Sequence, residues 1–142
     1  MKRILLSLCG LALAVTPASA QVVTAQIKAR YSATYTACLA APSGQSTMGQ
    51  GSCISDELAV QNAALNAAYQ KSMSQLDASG QASLRSVELA WIAFRDADCA
   101  SQGNQGLGTL QRIFQAQCQL NRTIERTLEL NDFPADLAGP AG

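Results

Sequence analysis

Four cysteines constrain the fold of this chain more than any other feature of its sequence. Cys38, Cys53, Cys99 and Cys118 are spread along the chain, and a fifth, Cys9, lies in an apolar N-terminal segment. An even number of cysteines in a small exported domain is typical of a disulfide framework, and four cysteines allow three pairings. A zinc site is disfavoured because the chain has no C-x-x-C motif and no histidine. We therefore expect two disulfides and neither a metal nor a cofactor.

The first residues, 1–20, have the pattern of a secretory signal peptide. Lys2 and Arg3 precede an apolar run that is too short to span a membrane, and small residues precede a cleavage site near Ala20–Gln21. Cleavage removes two of the ten basic residues and none of the ten acidic ones, so the mature chain has a net charge of −2. That balance gives no basic excess for nucleic acid. We expect a periplasmic or secreted protein without a stable membrane anchor.

Helical periodicity dominates the predicted domain, residues 21–131, and strand patterns are weak. Apolar residues recur every three or four positions in four segments, which predict helices at about residues 22–39, 52–76, 81–102 and 109–130. Residues 132–142 contain Pro and Gly without periodicity, which predicts a disordered tail. The predicted fold is all-α, a single disulfide-stabilised bundle of three to four helices.

The order of these helices favours two local disulfides, Cys38–Cys53 and Cys99–Cys118. The first closes a Gly/Ser-rich stretch, Pro42–Ser52. The second joins antiparallel helices, but Cys99 lies about one turn before their connection and Cys118 about nine residues after it. At 1.5 Å per residue the difference in height is about 10 Å, whereas bridged Cα atoms lie within about 7 Å. This pairing therefore requires that the connection rises above the end of the third helix, or that the fourth helix starts late or bends.

The stretch AWIAFRDADC, Ala90–Cys99, concentrates aromatic and charged residues in a chain that has few of either. Asp96 and Asp98 would point about 200° apart on a helix, so they do not form a carboxylate pair. Without histidine, Ser-His-Asp and Cys-His catalysis are excluded. The sequence predicts no catalytic residue and a protein that is not an enzyme.

The same stretch fits a structural latch between the third and fourth helices. Its aromatic members continue the apolar stripe of Leu84 and Val87. Arg95 is spaced to stack on the indole and to pair with Asp98, and an arginine of the fourth helix is spaced to reach either aspartate. We expect six side chains in the latch: Trp91, Phe94, Arg95, Asp96, Asp98 and Arg126.

The fourth predicted helix combines an apolar stripe with a charged face. The stripe that we expect to face inward includes Leu110, Phe114, Cys118 and Ile124. On the charged face, glutamates follow arginines at a spacing of three residues, which favours the ion pairs Arg122–Glu125 and Arg126–Glu129.

Two Gly-rich stretches are the candidate binding loops. We expect one within Pro42–Ser52 and one at residues 103–108, because both lack apolar periodicity. Neither stretch contains the Arg or aromatic residues that usually dominate tight interfaces. The candidate loop residues are Pro42, Gly44, Met48, Gly106, Leu107 and Gly108.

Several of these motifs, in this order, resemble the exported family named for the lysozyme inhibitor LprI, specifically its N-terminal domain. The matching stretches are LNAAY (residues 65–69), AWIAFRDADC (90–99), GLGTL (106–110) and RTLEL (126–130), together with the four cysteines. The Trp-x-x-aromatic-Arg-Asp-x-x-Cys run is the most specific of them. The resemblance implies a small helical, disulfide-bearing envelope protein and an inhibitor of lysozyme-type muramidases, with lysozyme as its protein partner.

Two other functions remain open from the sequence. One is an envelope interaction module that binds a bacterial protein. The other is a carrier of small molecules with a cleft between the third and fourth helices.

Overall fold

The computed structural model describes residues 18–103, 106 and 108–133, and within these residues it contains α-helices, one 3-10 helix and no strand. Both predicted disulfides are present, with Cα atoms 5.8 Å apart for Cys38–Cys53 and 5.5 Å apart for Cys99–Cys118. The predicted all-α, disulfide-stabilised fold is therefore confirmed. The helices are α1 (Ala18–Lys28), α2 (Ala33–Ala40), the 3-10 helix (Pro42–Gln45), α3 (Thr47–Ser74), α4 (Ala78–Gly103) and α5 (Leu110–Asn131).

Both ends of the chain extend beyond the described residues. The predicted signal peptide lies outside them except for residues 18–20, which begin α1. Of the predicted tail, Asp132 and Phe133 are described, and the rest of the tail lies outside the described residues. Phe133 is partly buried and packs against the cluster of Ala68, Leu84 and Leu130. No helix in the described part of the chain is long and apolar enough to span a membrane.

The last helix, α5, is the centre of the fold. It packs against α1, α3 and α4, whereas α3 and α4 hardly contact each other. Its side chains therefore enter two separate apolar clusters. The upper cluster is built from the buried residues Ile27, Tyr35, Cys53, Ile54, Leu120 and Ile124. The lower cluster is built from Ala68, Leu84 and Leu130, with Leu65, Tyr69, Met73, Leu76 and Phe133 around them.

The first predicted helix is broken into α1 and α2, which is why the fold has five α-helices in its described residues instead of three or four. The break lies at Ser32, which caps α2 by accepting a hydrogen bond from the Tyr35 N–H (3.0 Å). In a continuous helix the Ser32 N–H would bond within the helix. Here it donates instead to Glu57 Oε1 on α3 (3.0 Å), and the Ser32 hydroxyl donates to Glu57 Oε2 (2.5 Å).

Glu57 and its neighbour Gln61 supply the hydrogen bonds that the broken helix lacks. Gln61 Nε2 donates to the Arg30 carbonyl (2.9 Å) and to Glu57 Oε1 (2.8 Å). Both side chains are buried, and Glu57 is only 2% exposed. Buried polar groups are costly unless they are hydrogen-bonded, so this arrangement stabilises the break and the polar pair together.

The stretch predicted as a loop at Pro42–Ser52 is helical instead. It forms the 3-10 helix and the first turns of α3, where Ser46 caps the helix by accepting from the Gly49 N–H (3.0 Å). The glycines serve close packing here. A Cβ at Gly44 would lie 2.1 Å from the Cys38 carbonyl oxygen, and one at Gly49 would lie 1.8 Å from that of Ser43. The prediction was wrong because glycine that permits close backbone contact has the same sequence signature as glycine in a loop.

Two tyrosines connect the broken helix to α5 through hydrogen bonds. Tyr31 donates to Asn121 Oδ1 (2.7 Å), Tyr35 donates to Gln117 Oε1 (2.9 Å), and Gln117 Nε2 donates to the Tyr31 hydroxyl (2.9 Å). Burial raises the pKa of the Tyr31 hydroxyl; the hydrogen bond from Gln117 opposes this rise, and the nearby charge of Glu57 adds to it. Burial also raises the pKa of Tyr35, with a further rise from Tyr31.

We expect Glu57→Gln to lower the free energy of unfolding by about 1–3 kcal/mol, because an amide cannot accept from all three donors and leaves a buried group unsatisfied. Urea denaturation followed by circular dichroism measures the change. The matched control is Glu129→Gln, at an exposed ion pair with Arg126, for which we expect a change within about 0.5 kcal/mol. Equal effects of the two substitutions would contradict the structural role of Glu57.

The raised tyrosine pKa values predict a loss of stability at alkaline pH. Below the ordinary tyrosine pKa of 10.0, both hydroxyls are protonated in the folded and unfolded states. Above it the unfolded chain ionises first and binds fewer protons, so the free energy of unfolding falls as pH rises. Urea midpoints measured across this range should fall less steeply in the Tyr31→Phe/Tyr35→Phe variant than in the wild type. An unchanged slope in the double variant would refute the prediction.

Candidate functional site

The Cys99–Cys118 disulfide sets the relative height of α4 and α5. Gly103, the last residue of α4, lies level with Gln111 and Gln115 of α5. A Cβ on Gly103 would be 3.1 Å from Gln115 Oε1 and 3.5 Å from the Gln111 carbonyl oxygen. The start of α5 therefore projects past the end of α4. This is the offset between the two helices that a Cys99–Cys118 bridge requires.

The latch residues on α4 make some of the predicted contacts but not all of them. The Arg95 guanidinium lies 5.1 Å from the centre of the Trp91 ring, which is the expected cation–π contact. Its ion pair is with Asp96 (2.9 Å), and the expected Arg95–Asp98 pair is not formed. Asp98 instead accepts from Arg122 of α5, at 3.0 Å from Nη2 and 3.2 Å from Nε.

Arg126 was predicted to reach Asp96 or Asp98, and this prediction was wrong. Arg126 pairs with Glu88, more than about two turns of α4 before the expected aspartates. Its Nε donates to Glu88 Oε1 (2.9 Å), and its Nη2 forms a second, shorter bond. The ion pairs expected within α5 are present, at 3.0 Å for Arg122–Glu125 and 2.7 Å for Arg126–Glu129. Ion pairs and the disulfide thus occupy the α4–α5 contact, where the sequence had suggested a ligand cleft.

Phe94 is not in the core, contrary to expectation. It is 55% exposed, with the Arg122 guanidinium 5.9 Å from its ring centre, and Val87 is exposed on the same side of α4. The less exposed stripe of α4 runs instead through Leu84 and Cys99, which are buried, and Glu88, which is partly buried. Because Arg122 and Arg126 provide partners for acidic residues, Glu88 and Asp98 face α5, whereas Val87 and Phe94 are exposed.

Both arginines of this contact are charged, as arginine is in folded proteins generally, and their hydrogen bonds favour the charged form further. For Arg122, the bond with Glu125 raises the guanidinium pKa most; burial opposes it, and the bond with Asp98 adds to the rise. For Arg126, burial lowers the pKa, but the bonds with Glu88 and Glu129 outweigh burial and raise it. The α4–α5 contact therefore holds permanent positive charges, each paired with two carboxylates.

The carboxylates of the latch form ion pairs, and the two cysteines beside them form a disulfide. Among the described residues, Asp98, Cys99 and Cys118 are close enough together to be considered as metal ligands. The two sulfurs form a disulfide and do not provide thiolates. Asp96 and Asp98 pair with different arginines and do not act as a carboxylate pair.

The starts of α3 and α5 lie next to each other at one end of the bundle. A cleft of about 420 Å³ joins Thr47 and Met48 at the start of α3 to Thr109 and Arg112 at the start of α5. Gly51 and Ile113 line its base, where a Cβ on Gly51 would be 3.5 Å from Ile113 Cδ1. Segments about sixty residues apart in sequence thus form one surface. We call it the loop end: Thr47, Met48, Gly51, Thr109, Arg112 and Ile113.

The predicted loop residues differ in their exposure and backbone conformation, and Met48 is the one that lines this cleft among those described. Met48 is 86% exposed and Pro42 is exposed, but Gly44 is buried against the Cys38 carbonyl. Gly106 and Gly108 have φ values of 69° and 61°, a backbone conformation that favours glycine. Leu107 lies outside the described residues.

The first turn of α5 provides the loop end with an arginine, and apolar side chains near it that the sequence had predicted to face inward are exposed. Leu110 is exposed, and Phe114 is exposed one turn further along. Arg112 is exposed and forms no ion pair with the described residues. A periodic stripe predicts which residues share a face, but here the projection of α5 past α4 leaves the first turn of that face uncovered.

Two disulfides, a central helix and a polar helix–helix contact define the class of the protein as a small, disulfide-bridged helical protein. Within that class, the chain belongs to the family described as lysozyme inhibitor LprI, whose model matches residues 38–130. The match begins at the first bridged cysteine and ends one residue before α5 ends. Searches of curated proteins and of solved structures each found no match to this chain.

We expect the variant with both Cys99→Ser and Cys118→Ser to lose about 2–5 kcal/mol of unfolding free energy, as for other native disulfides of small secreted domains. Urea denaturation in the presence and absence of reductant measures this. Reductant should lower the stability of the wild type, and that of the variant less, because the variant retains only Cys38–Cys53. A loss below about 0.5 kcal/mol would show that the bridge does not stabilise the α4–α5 contact.

Proposed function

We propose that the protein is an exported, non-enzymatic binding protein that inhibits lysozyme-type muramidases. The observation that carries this proposal is membership of the lysozyme inhibitor LprI family across residues 38–130, a range that includes both disulfides and the helices α3 and α4 in full. Export is supported by the predicted signal peptide and by the disulfides, which persist in oxidising compartments.

We propose the loop end as the surface that contacts the muramidase. It brings together an exposed apolar side chain, Met48, and an exposed arginine without an ion pair, Arg112. Arginine is enriched among the residues that provide most of the energy of tight interfaces. Cys53 of α3 and Cys118 of α5 are each bridged within about two turns of this surface, so it is held rigid before binding, which lowers the entropic cost of association.

The charge of Arg112 suits the chemistry of the proposed target. Muramidases hydrolyse glycosidic bonds with a pair of carboxyl groups in a cleft. A guanidinium can donate two parallel hydrogen bonds to a carboxylate, and it gains most when it enters a site from which water is excluded. The net charge of −2 on the mature chain favours long-range attraction to a basic enzyme, while Arg112 provides the local opposite charge.

The test is inhibition of cell-wall lysis by purified muramidases of several types, measured against the concentration of the mature protein. We expect the wild type to inhibit at least one type, and Arg112→Glu to raise the half-inhibitory concentration at least about tenfold, or about 1.4 kcal/mol. The matched control is Lys71→Glu, which makes the same charge change at an exposed cation near the other end of α3. It should inhibit as the wild type does.

Two results would count against the proposal at different levels. Lysis that is unchanged by a large molar excess of the wild type for every muramidase tested would refute the inhibitor function. Inhibition that is equally weakened by Arg112→Glu and Lys71→Glu would retain the function and reject the loop end as the contact surface. Circular dichroism of each variant shows that its helices are intact.

A further inference from the structure

An apolar groove runs between α3 and α4, on a different part of the molecule from the loop end. Its volume is about 280 Å³, and the helices that form its walls both pack on α5 while hardly contacting each other. Leu65, at its centre, lies seventeen residues along α3 from Met48, a distance of about 25 Å. The groove is lined by Asn62, Leu65, Asn66, Tyr69, Arg85, Glu88, Leu89 and Ile92.

The apolar side chains of the α4 wall do not serve the core. Leu89 is 65% exposed and Ile92 is also exposed, and neither belongs to the two core clusters. On the opposite wall, Leu65 and Tyr69 are partly buried against the lower cluster and leave one side open to the groove. A small domain gains nothing for its folding from such exposed leucine and isoleucine, whereas burial of this surface by a ligand would be favourable.

The polar side chains at the rim have no partners in the described structure. Asn62 and Asn66 are one helical turn apart on α3, Arg85 lies on α4, and none of the three forms a hydrogen bond or ion pair with the described residues. Glu88 also lines the groove, but its charge is compensated by Arg126. The groove therefore presents one uncompensated positive charge and two amides that can donate hydrogen bonds.

We propose that this groove binds a small amphipathic carboxylate, with its hydrocarbon body between Leu65, Tyr69, Leu89 and Ile92 and its head group on Arg85. Known ligand sites are mainly apolar with a few converging polar groups, as this one is, and their volumes are about 300–1,000 Å³. A groove of about 280 Å³ lies just below that range, which favours a medium-chain acid over a long lipid. The planar guanidinium matches a carboxylate, and the Asn62 and Asn66 amides can donate to its remaining lone pairs.

This site is independent of the proposed muramidase contact. It uses none of the residues of the loop end, and its ligand is small, so either proposal can fail without the other. The ligand should also stabilise the folded protein, because the two walls of the groove approach each other only in the folded state.

The test uses sodium decanoate as the probe, below its micelle concentration, with binding to the mature protein measured by isothermal titration calorimetry. We expect saturable binding at one site and a rise in the thermal midpoint. Arg85→Gln should weaken decanoate binding at least tenfold while leaving the binding of uncharged decanol unchanged. Leu89→Asp should abolish binding of both probes, because it places a charge among the apolar side chains.

Two matched controls distinguish a site from general adsorption of a surfactant. Val87→Asp makes a comparable change at an exposed apolar residue of α4 outside the groove, and Arg112→Gln removes an exposed arginine at the loop end. Both variants should bind decanoate as the wild type does. The proposal is overturned if the wild type shows no saturable binding, if Arg85→Gln binds decanoate normally, or if Val87→Asp loses as much binding as Leu89→Asp. Thermal unfolding without ligand verifies that each variant is folded.

Discussion

The bridge between Cys99 and Cys118 determines the register of the α4–α5 contact, and the register determines which residues of both helices are buried. With these two cysteines side by side, Asp98 lies opposite Arg122, Glu88 opposite Arg126, and Leu84 beside Leu130 in the lower core. The same register carries the first turn of α5 beyond the end of α4. This projection leaves Leu110 and Arg112 exposed. A structural disulfide therefore creates the end of α5 to which we assign binding.

The fold could be predicted from the sequence more completely than the faces of its helices. Cysteine number and helical periodicity were sufficient for the all-α fold. Both disulfides were favoured as local pairs, although the heights of the two cysteines argued against Cys99–Cys118. The buried face of α4 was not predictable in the same way, since a spacing of three and four residues fits the stripe through Val87 and Phe94 as well as the one through Glu88 and Cys99. The choice depends on Arg122 and Arg126 of α5, and periodicity within one helix contains no information about its partner.

Glu57 illustrates a second feature that one segment of the sequence cannot predict, the position of a helix break. The periodicity of the first predicted helix is real, because Ile27, Tyr31 and Tyr35 do reach the upper core. The helix nevertheless breaks between them, because a carboxylate twenty-five residues beyond Ser32 accepts the backbone hydrogen bond that would otherwise continue it. A buried glutamate in a helix has no distinctive local pattern that would separate it from an exposed one.

Helix α3 connects the two surfaces and supports them differently. Near the loop end it is joined to α2 by Cys38–Cys53 and packs on the upper cluster, which has six buried members. Along the groove it rests on the lower cluster, which has only three, and no disulfide crosses it there. Local opening requires the least free energy where few buried contacts resist it. The groove half is therefore the part of the described molecule where a bound ligand adds most to local stability, while the loop end is already rigid without one.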